Sequence, residues 1–122
     1  MTQIDIEEVK KLLATRKSIV IVTHKNPDGD AMGSSLGLYN YLIRKKHNVK
    51  VITPNSYPNF LKWLPGNDKV IEYSENPGAA EARLKKAKVI FCLDFNALRR
   101  IDNLGKLVKK AKATKIMIDH HP

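Results

Sequence analysis

Seven residues have the types and spacing to hold divalent cations against a phosphate: His24, Asp28, Asp30, Asp94, Asp119, His120 and His121. Carboxylates with a minority of imidazoles, and no thiolate, suit Mn²⁺ or Mg²⁺ better than a structural zinc. So many acids packed together would repel one another and destabilise the fold unless cations intervened, which argues for two metals. Two ions roughly 3.5–4 Å apart are the usual apparatus for hydrolysing phosphate esters, supplying a water nucleophile and offsetting charge on phosphate oxygens. Taken singly, each residue has a plainer role. Asp28 fits a turn, Asp30 a helix N-cap, Asp94 a turn or helix start after a strand, and the paired histidines a surface loop. Only their joint placement outweighs those roles.

That placement follows from the elements between them. Asp5 with Glu8 makes a capping box for a helix through about Arg16, with Ile6, Val9, Leu12 and Leu13 on one face. Ser18 to Thr23 is β-branched and apolar on both faces, as a parallel strand buried under helices should be. A second helix is expected from about Asp30 to Lys46, with Met32, Leu36, Tyr39, Leu42 and Ile43 at helical spacing. Strands follow at Val49–Thr53, Val70–Ile71, Val89–Leu93 and Lys115–Ile118, and helices at Pro77–Lys86 and Asn103–Ala111. Asn55 to Gly66, with Pro58 and Pro65, reads as a loop. Strands alternating with helices predict an α/β fold: a doubly wound, mainly parallel sheet flanked by helices. Such sheets bind ligands beyond the carboxyl ends of their strands. Here the first strand leads into His24–Asp30, the strand at 89–93 into Asp94, and the last into Asp119–His121. Neighbouring strands lie about 4.8 Å apart, so groups at those ends can share an ion pair. Pro27 stiffens the first loop and Gly29 can take positive φ, letting Asp28 and Asp30 turn to one centre. Gly33, Ser34 and Ser35 follow at a helix start whose free amides suit an anion.

Composition narrows the setting. The chain has 122 residues, enough for one domain, and is 43% hydrophobic and 28% charged, a mix that packs a core. No apolar run approaches the ~20 residues of a membrane span, and the N-terminus lacks a signal-peptide pattern. One cysteine, Cys92, allows no internal disulfide. A cytoplasmic protein without membrane attachment is expected. The net charge of +10, from 22 Lys and Arg against 12 acids, would suit a phosphate-rich partner. The favoured reading is plainer: the lysines are spread out, do not interleave with aromatics, and solvate helix faces, while an acidic remainder of a longer chain could cancel the excess.

The string Thr23-His24-Lys25-Asn26-Pro27-Asp28-Gly29-Asp30-Ala31-Met32-Gly33-Ser34 resembles the first motif of the DHH phosphoesterase superfamily. Asp94 after an apolar strand resembles the second, and Asp119-His120-His121-Pro122 the third. Within the family the pattern is most similar to the bifunctional oligoribonuclease and 3′-phosphoadenosine-5′-phosphate phosphatase group, through Asp94–Ile101 and the turn Trp63-Leu64-Pro65-Gly66. The resemblance implies that His24, Asp28 and Asp94 bind one Mn²⁺ (Mg²⁺ being the alternative). Asp30, Asp94 and His120 would bind the other, with Asp94 bridging. It further implies catalytic roles for His121, facing the scissile phosphate, and for Asp119, orienting a histidine. Arg100 and Ser34 are the substrate-binding candidates, Arg100 through a phosphate.

The implied protein is a cytoplasmic, two-metal hydrolase acting on short RNA or 3′-phosphoadenosine 5′-phosphate, with a homodimer as one admissible assembly. Exopolyphosphatase, pyrophosphatase, cyclic-dinucleotide phosphodiesterase and single-strand exonuclease activities stay open. So does a non-catalytic nucleotide-binding α/β module, although four aspartates against an anion make little sense without cations. Residues 1–122 would be the N-terminal part of a Rossmann-like DHH domain. The family's later metal-binding aspartate and its C-terminal substrate-binding domain are not in this sequence, so this chain alone is expected to be inactive.

Overall fold

A computed structural model describes residues 6–23, 29–54, 70–92 and 102–117, with residues 6, 29–32 and 102–103 described by their backbone alone. Five strands form one sheet: β1 (Ser18–Val22), β2 (Asn48–Thr53), β3 (Val70–Glu72), β4 (Val89–Cys92) and β5 (Thr114–Met117). Four helices accompany them: α1 (Ile6–Leu12), α2 (Gly29–Arg44), α3 (Pro77–Lys86) and α4 (Asp102–Lys110). The strand order is β3-β2-β1-β4-β5, and every pairing is parallel. The expected α/β architecture is therefore the observed one. The chain starts at the middle strand, builds outward to β3, then returns across β1 to build β4 and β5. That reversal between β1 and β4 is a topological switch point, where open α/β sheets form their binding crevice.

Apolar side chains on both faces of the sheet explain why both faces are covered. On one face, Ile19, Ile21, Val49, Val51, Val89 and Phe91 meet Leu36, Tyr39 and Leu42 of α2, with Val9 and Leu12 of α1 beside them. On the other, Val20, Val22, Ile52, Ile90 and Cys92 meet Ala80 and Leu84 of α3 and Leu104 and Val108 of α4. Each fully buried aliphatic contributes about 1.5–3 kcal/mol, so these two layers dominate stability.

Several boundaries depart from the sequence reading. The first helix ends at Leu12, not near Arg16, unwinding through bonds from the Leu13 N–H to Val9 and from the Ala14 N–H to Lys11. The second stops at Arg44. There the His47 N–H donates to the Leu42 carbonyl and the Lys46 N–H to that of Ile43, a Schellman closure with Lys46 at a φ of 69°. Ile43, expected on the apolar face, is 40% exposed. It shares the face of Leu36, seven residues earlier, but sits next to the last residue of the helix, Arg44. Pro77 opens α3 at its first turn, where a missing N–H costs nothing. The expected loop at Asn55–Gly66 lies outside the described residues.

Candidate functional site

Register is the main geometric fact about the site. Val22 pairs with Cys92, and Cys92 pairs with Met117, so β1, β4 and β5 finish on one row. Ile52 of β2 extends that row on the other side of Val22. His24, Asp94 and Asp119 each lie two residues beyond it in sequence. β1 and β4 are also the strands that flank the switch point.

What is described next to that row is closely held. The Thr23 N–H donates to the Ile52 carbonyl at 3.1 Å, carrying the parallel ladder one residue past β1, and Thr23 is buried. Thr53, also buried, ends β2 beside it, and its carbonyl accepts from the Tyr73 N–H at 2.7 Å. The anchor for whatever follows Thr23 is thus rigid backbone. Asp30 is the second residue of α2, and Ser34 stands exposed further along that helix. His24, Asp28, Asp94, Arg100, Asp119, His120 and His121 lie outside the described residues. Among the described residues no group of three or more His, Cys, Asp or Glu could hold a metal ion.

Cys92, the last residue of β4, is excluded from ligation by its environment. Its side chain is wholly buried in the apolar layer under α3 and α4. Burial pushes the thiol up to about 12, against a smaller opposing pull from Lys115, so it stays protonated at neutral pH. Cys92 thus offers no thiolate to a strand-end site. Position in the strand order is what sequence reading missed. Only the pairings reveal that the three donor-bearing strands are neighbours, because nothing local in a strand states its partner.

A family model for the N-terminal domain of the DHH family matches residues 18–122. The chain belongs to the DHH family. Among relatives of this DHH chain is the bifunctional oligoribonuclease and PAP phosphatase NrnA of Thermus thermophilus, 41% identical over 80 residues. That alignment takes in 63% of this chain and 24% of the relative. A crystal structure of an exopolyphosphatase-related protein from Bacteroides fragilis superposes with a TM-score of 0.90 at 47% identity, covering 95% of this chain and 34% of that one. This DHH chain therefore spans about a quarter to a third of the length of the proteins it matches. Among the described residues no helix is long and apolar enough to cross a membrane.

Proposed function

We propose that this chain carries the metal-binding part of a phosphoesterase that hydrolyses short oligoribonucleotides and 3′-phosphoadenosine 5′-phosphate. The observation that carries the reading is the aligned finish of β1, β4 and β5 at the switch point. Consecutive Cα atoms are at most about 3.8 Å apart, so His24, Asp94 and Asp119 cannot be more than about 7.6 Å from the ends of those strands. Neighbouring strands are about 4.8 Å apart. Tethers of that length would allow the donors to reach a common centre. Membership of the DHH family and the activity in the name of the Thermus thermophilus relative support the same substrate class.

The donor set fits divalent ions chemically, since it offers carboxylate and imidazole and the one nearby thiol is kept protonated. His24, Asp28 and Asp94 would hold one Mn²⁺, and Asp30, Asp94 and His120 the other. Bound there, two such ions supply a water nucleophile at neutral pH and charge neutralisation for the phosphate oxygens. His121 would donate to a phosphate oxygen, Asp119 would fix a histidine's tautomer, and Arg100 and Ser34 would orient the substrate.

The test is hydrolysis of a short RNA and of 3′-phosphoadenosine 5′-phosphate by the intact protein with Mn²⁺. Activity should vanish with chelator and fall to background in Asp94→Ala. Undiminished turnover in either case rules the mechanism out. The exopolyphosphatase-related structural neighbour favours a second reading, in which inorganic polyphosphate is the substrate. Side-by-side assay with polyphosphate separates the two.

A further inference from the structure

We infer that the rim of the sheet opposite the candidate site is a docking surface for the phosphate backbone of a nucleic acid. The lysines that look dispersed in the sequence are brought together by topology. Each helix runs back antiparallel to its strands, so every helix end and following strand start reaches the same edge. Residues 16–17, 44–46, 85–88 and 109–112 carry two, three, three and three cations, half of the chain's 22, and not one Asp or Glu.

Backbone bonds hold these segments side by side. The Asn48 N–H donates to the Lys17 carbonyl at 3.0 Å, the Lys88 N–H to Ser18 at 2.8 Å and the Thr114 N–H to Lys88 at 2.9 Å. The side chains of Arg16, Lys45, Lys88 and Lys112, one before each of β1, β2, β4 and β5, are exposed. Acids in the described helices lie elsewhere: Glu7 and Glu8 occupy the first turn of α1 and Asp30 and Asp102 the first turns of α2 and α4, all at the far ends, and Glu81 sits one turn back on α3, paired with Lys85 at 3.3 Å.

Helix dipoles account for part of this pattern, since a cation in a last turn gains about 0.3–1 kcal/mol. They do not account for Lys88 and Lys112, which lie past the ends of α3 and α4, nor for the lack of any acid in these four segments. Crowded like charges repel, and a polyanion relieves that cost. From β2 to β5 the rim spans three strand spacings, about 14 Å, with a helix layer on each face. At roughly 3.4 Å per nucleotide that covers four or more phosphates of one strand. Tyr41, 54% exposed with the Lys45 ammonium 5.8 Å from its ring centre, adds an aromatic surface at one end. A lipid surface would call for more exposed apolar side chains than Tyr41 and Ile43, the large ones exposed among the described residues.

The inference does not rest on the metal-centre reading, and its test keeps the two apart. Binding of a labelled oligonucleotide of about 12 nucleotides, single-stranded or duplex, is followed by fluorescence anisotropy with chelator present. The intact protein is compared with the combined Arg16→Gln, Lys45→Gln, Lys88→Gln and Lys112→Gln variant, whose fold is verified by circular dichroism. At about 50 mM salt the variant should bind at least tenfold more weakly, and the slope of log K against log salt should shrink by about three. The strand form bound more tightly identifies the source of the phosphates. Equal affinity and equal salt slope in the quadruple variant overturn the inference, as does binding to phosphatidylserine vesicles without binding to either oligonucleotide.

Discussion

Replacing His47 by alanine should destabilise the fold by about 2–4 kcal/mol and remove part of its pH dependence. His47 is 4% exposed, just after the Schellman turn that ends α2. Its Nδ1 accepts the Lys17 backbone N–H at 3.1 Å, thirty residues away, and its ring also bonds the backbone of Leu13. The imidazole thus ties the α1–β1 connection to the start of β2. Truncation orphans the Lys17 N–H, at about 1–3 kcal/mol, and leaves a void where the ring was, which makes up the remainder. Burial lowers the His47 pKa below its ordinary 6.5, helped by nearby Lys17 and opposed by the Leu13 bond. The unfolded chain therefore binds this proton more readily than the folded one. The stabilisation is present in full above about pH 6.5 and is lost as pH falls toward and through the lower folded-state value, with a limiting slope of about 1.4 kcal/mol per pH unit. Urea unfolding of wild type and His47→Ala between pH 5 and pH 8 reads both quantities, and the difference between the curves isolates this histidine from the others. A cost below about 0.5 kcal/mol, or parallel curves, would rule out this role for His47.

Three further outcomes are expected. Lys46→Gly should stabilise by about 0.5–1.5 kcal/mol, because a side chain at a φ of 69° carries a penalty that glycine lacks; calorimetry checks it. Gly37→Ala, exposed inside α2 where an added Cβ meets nothing within 4 Å, should add about 0.5–1 kcal/mol, read by the same scan. The Cys92 thiol, buried and pushed up to about 12, should react with a disulfide reagent at pH 8 only as fast as the chain opens, so rapid labelling of native protein would contradict its placement.

Much of this fold could be read from residue pattern because its strands are continuous apolar runs and its helices carry stripes. Ser18–Val22 and Val89–Cys92 announce themselves by β-branched and apolar residues that only a doubly covered sheet tolerates. Helix ends were less legible. The halt of α2 at Arg44 depends on a lysine taking a left-handed conformation that favours glycine, which no local signal at Lys46 advertises. Strand order was not legible at all, and with it went the switch point between β1 and β4 and the gathering of cations at the opposite rim. Both are consequences of pairing between segments far apart in the chain. The candidate donors could be picked out as candidates for the opposite reason: His24, Asp94 and Asp119 follow strand ends by two residues in sequence, and every strand in a parallel sheet ends on the same edge.

On the proposed reading, carboxylates and histidines that follow β1, β4 and β5 in sequence hold a pair of divalent ions. A crystal structure of the intact protein grown with Mn²⁺, with the ions located by anomalous scattering, decides whether they do. Two peaks about 3.5–4 Å apart are expected at the carboxyl edge, bridged by Asp94, with His24 and His120 on different ions. A lone ion, or a pair that draws no ligand from one of those three strand ends, would contradict that reading.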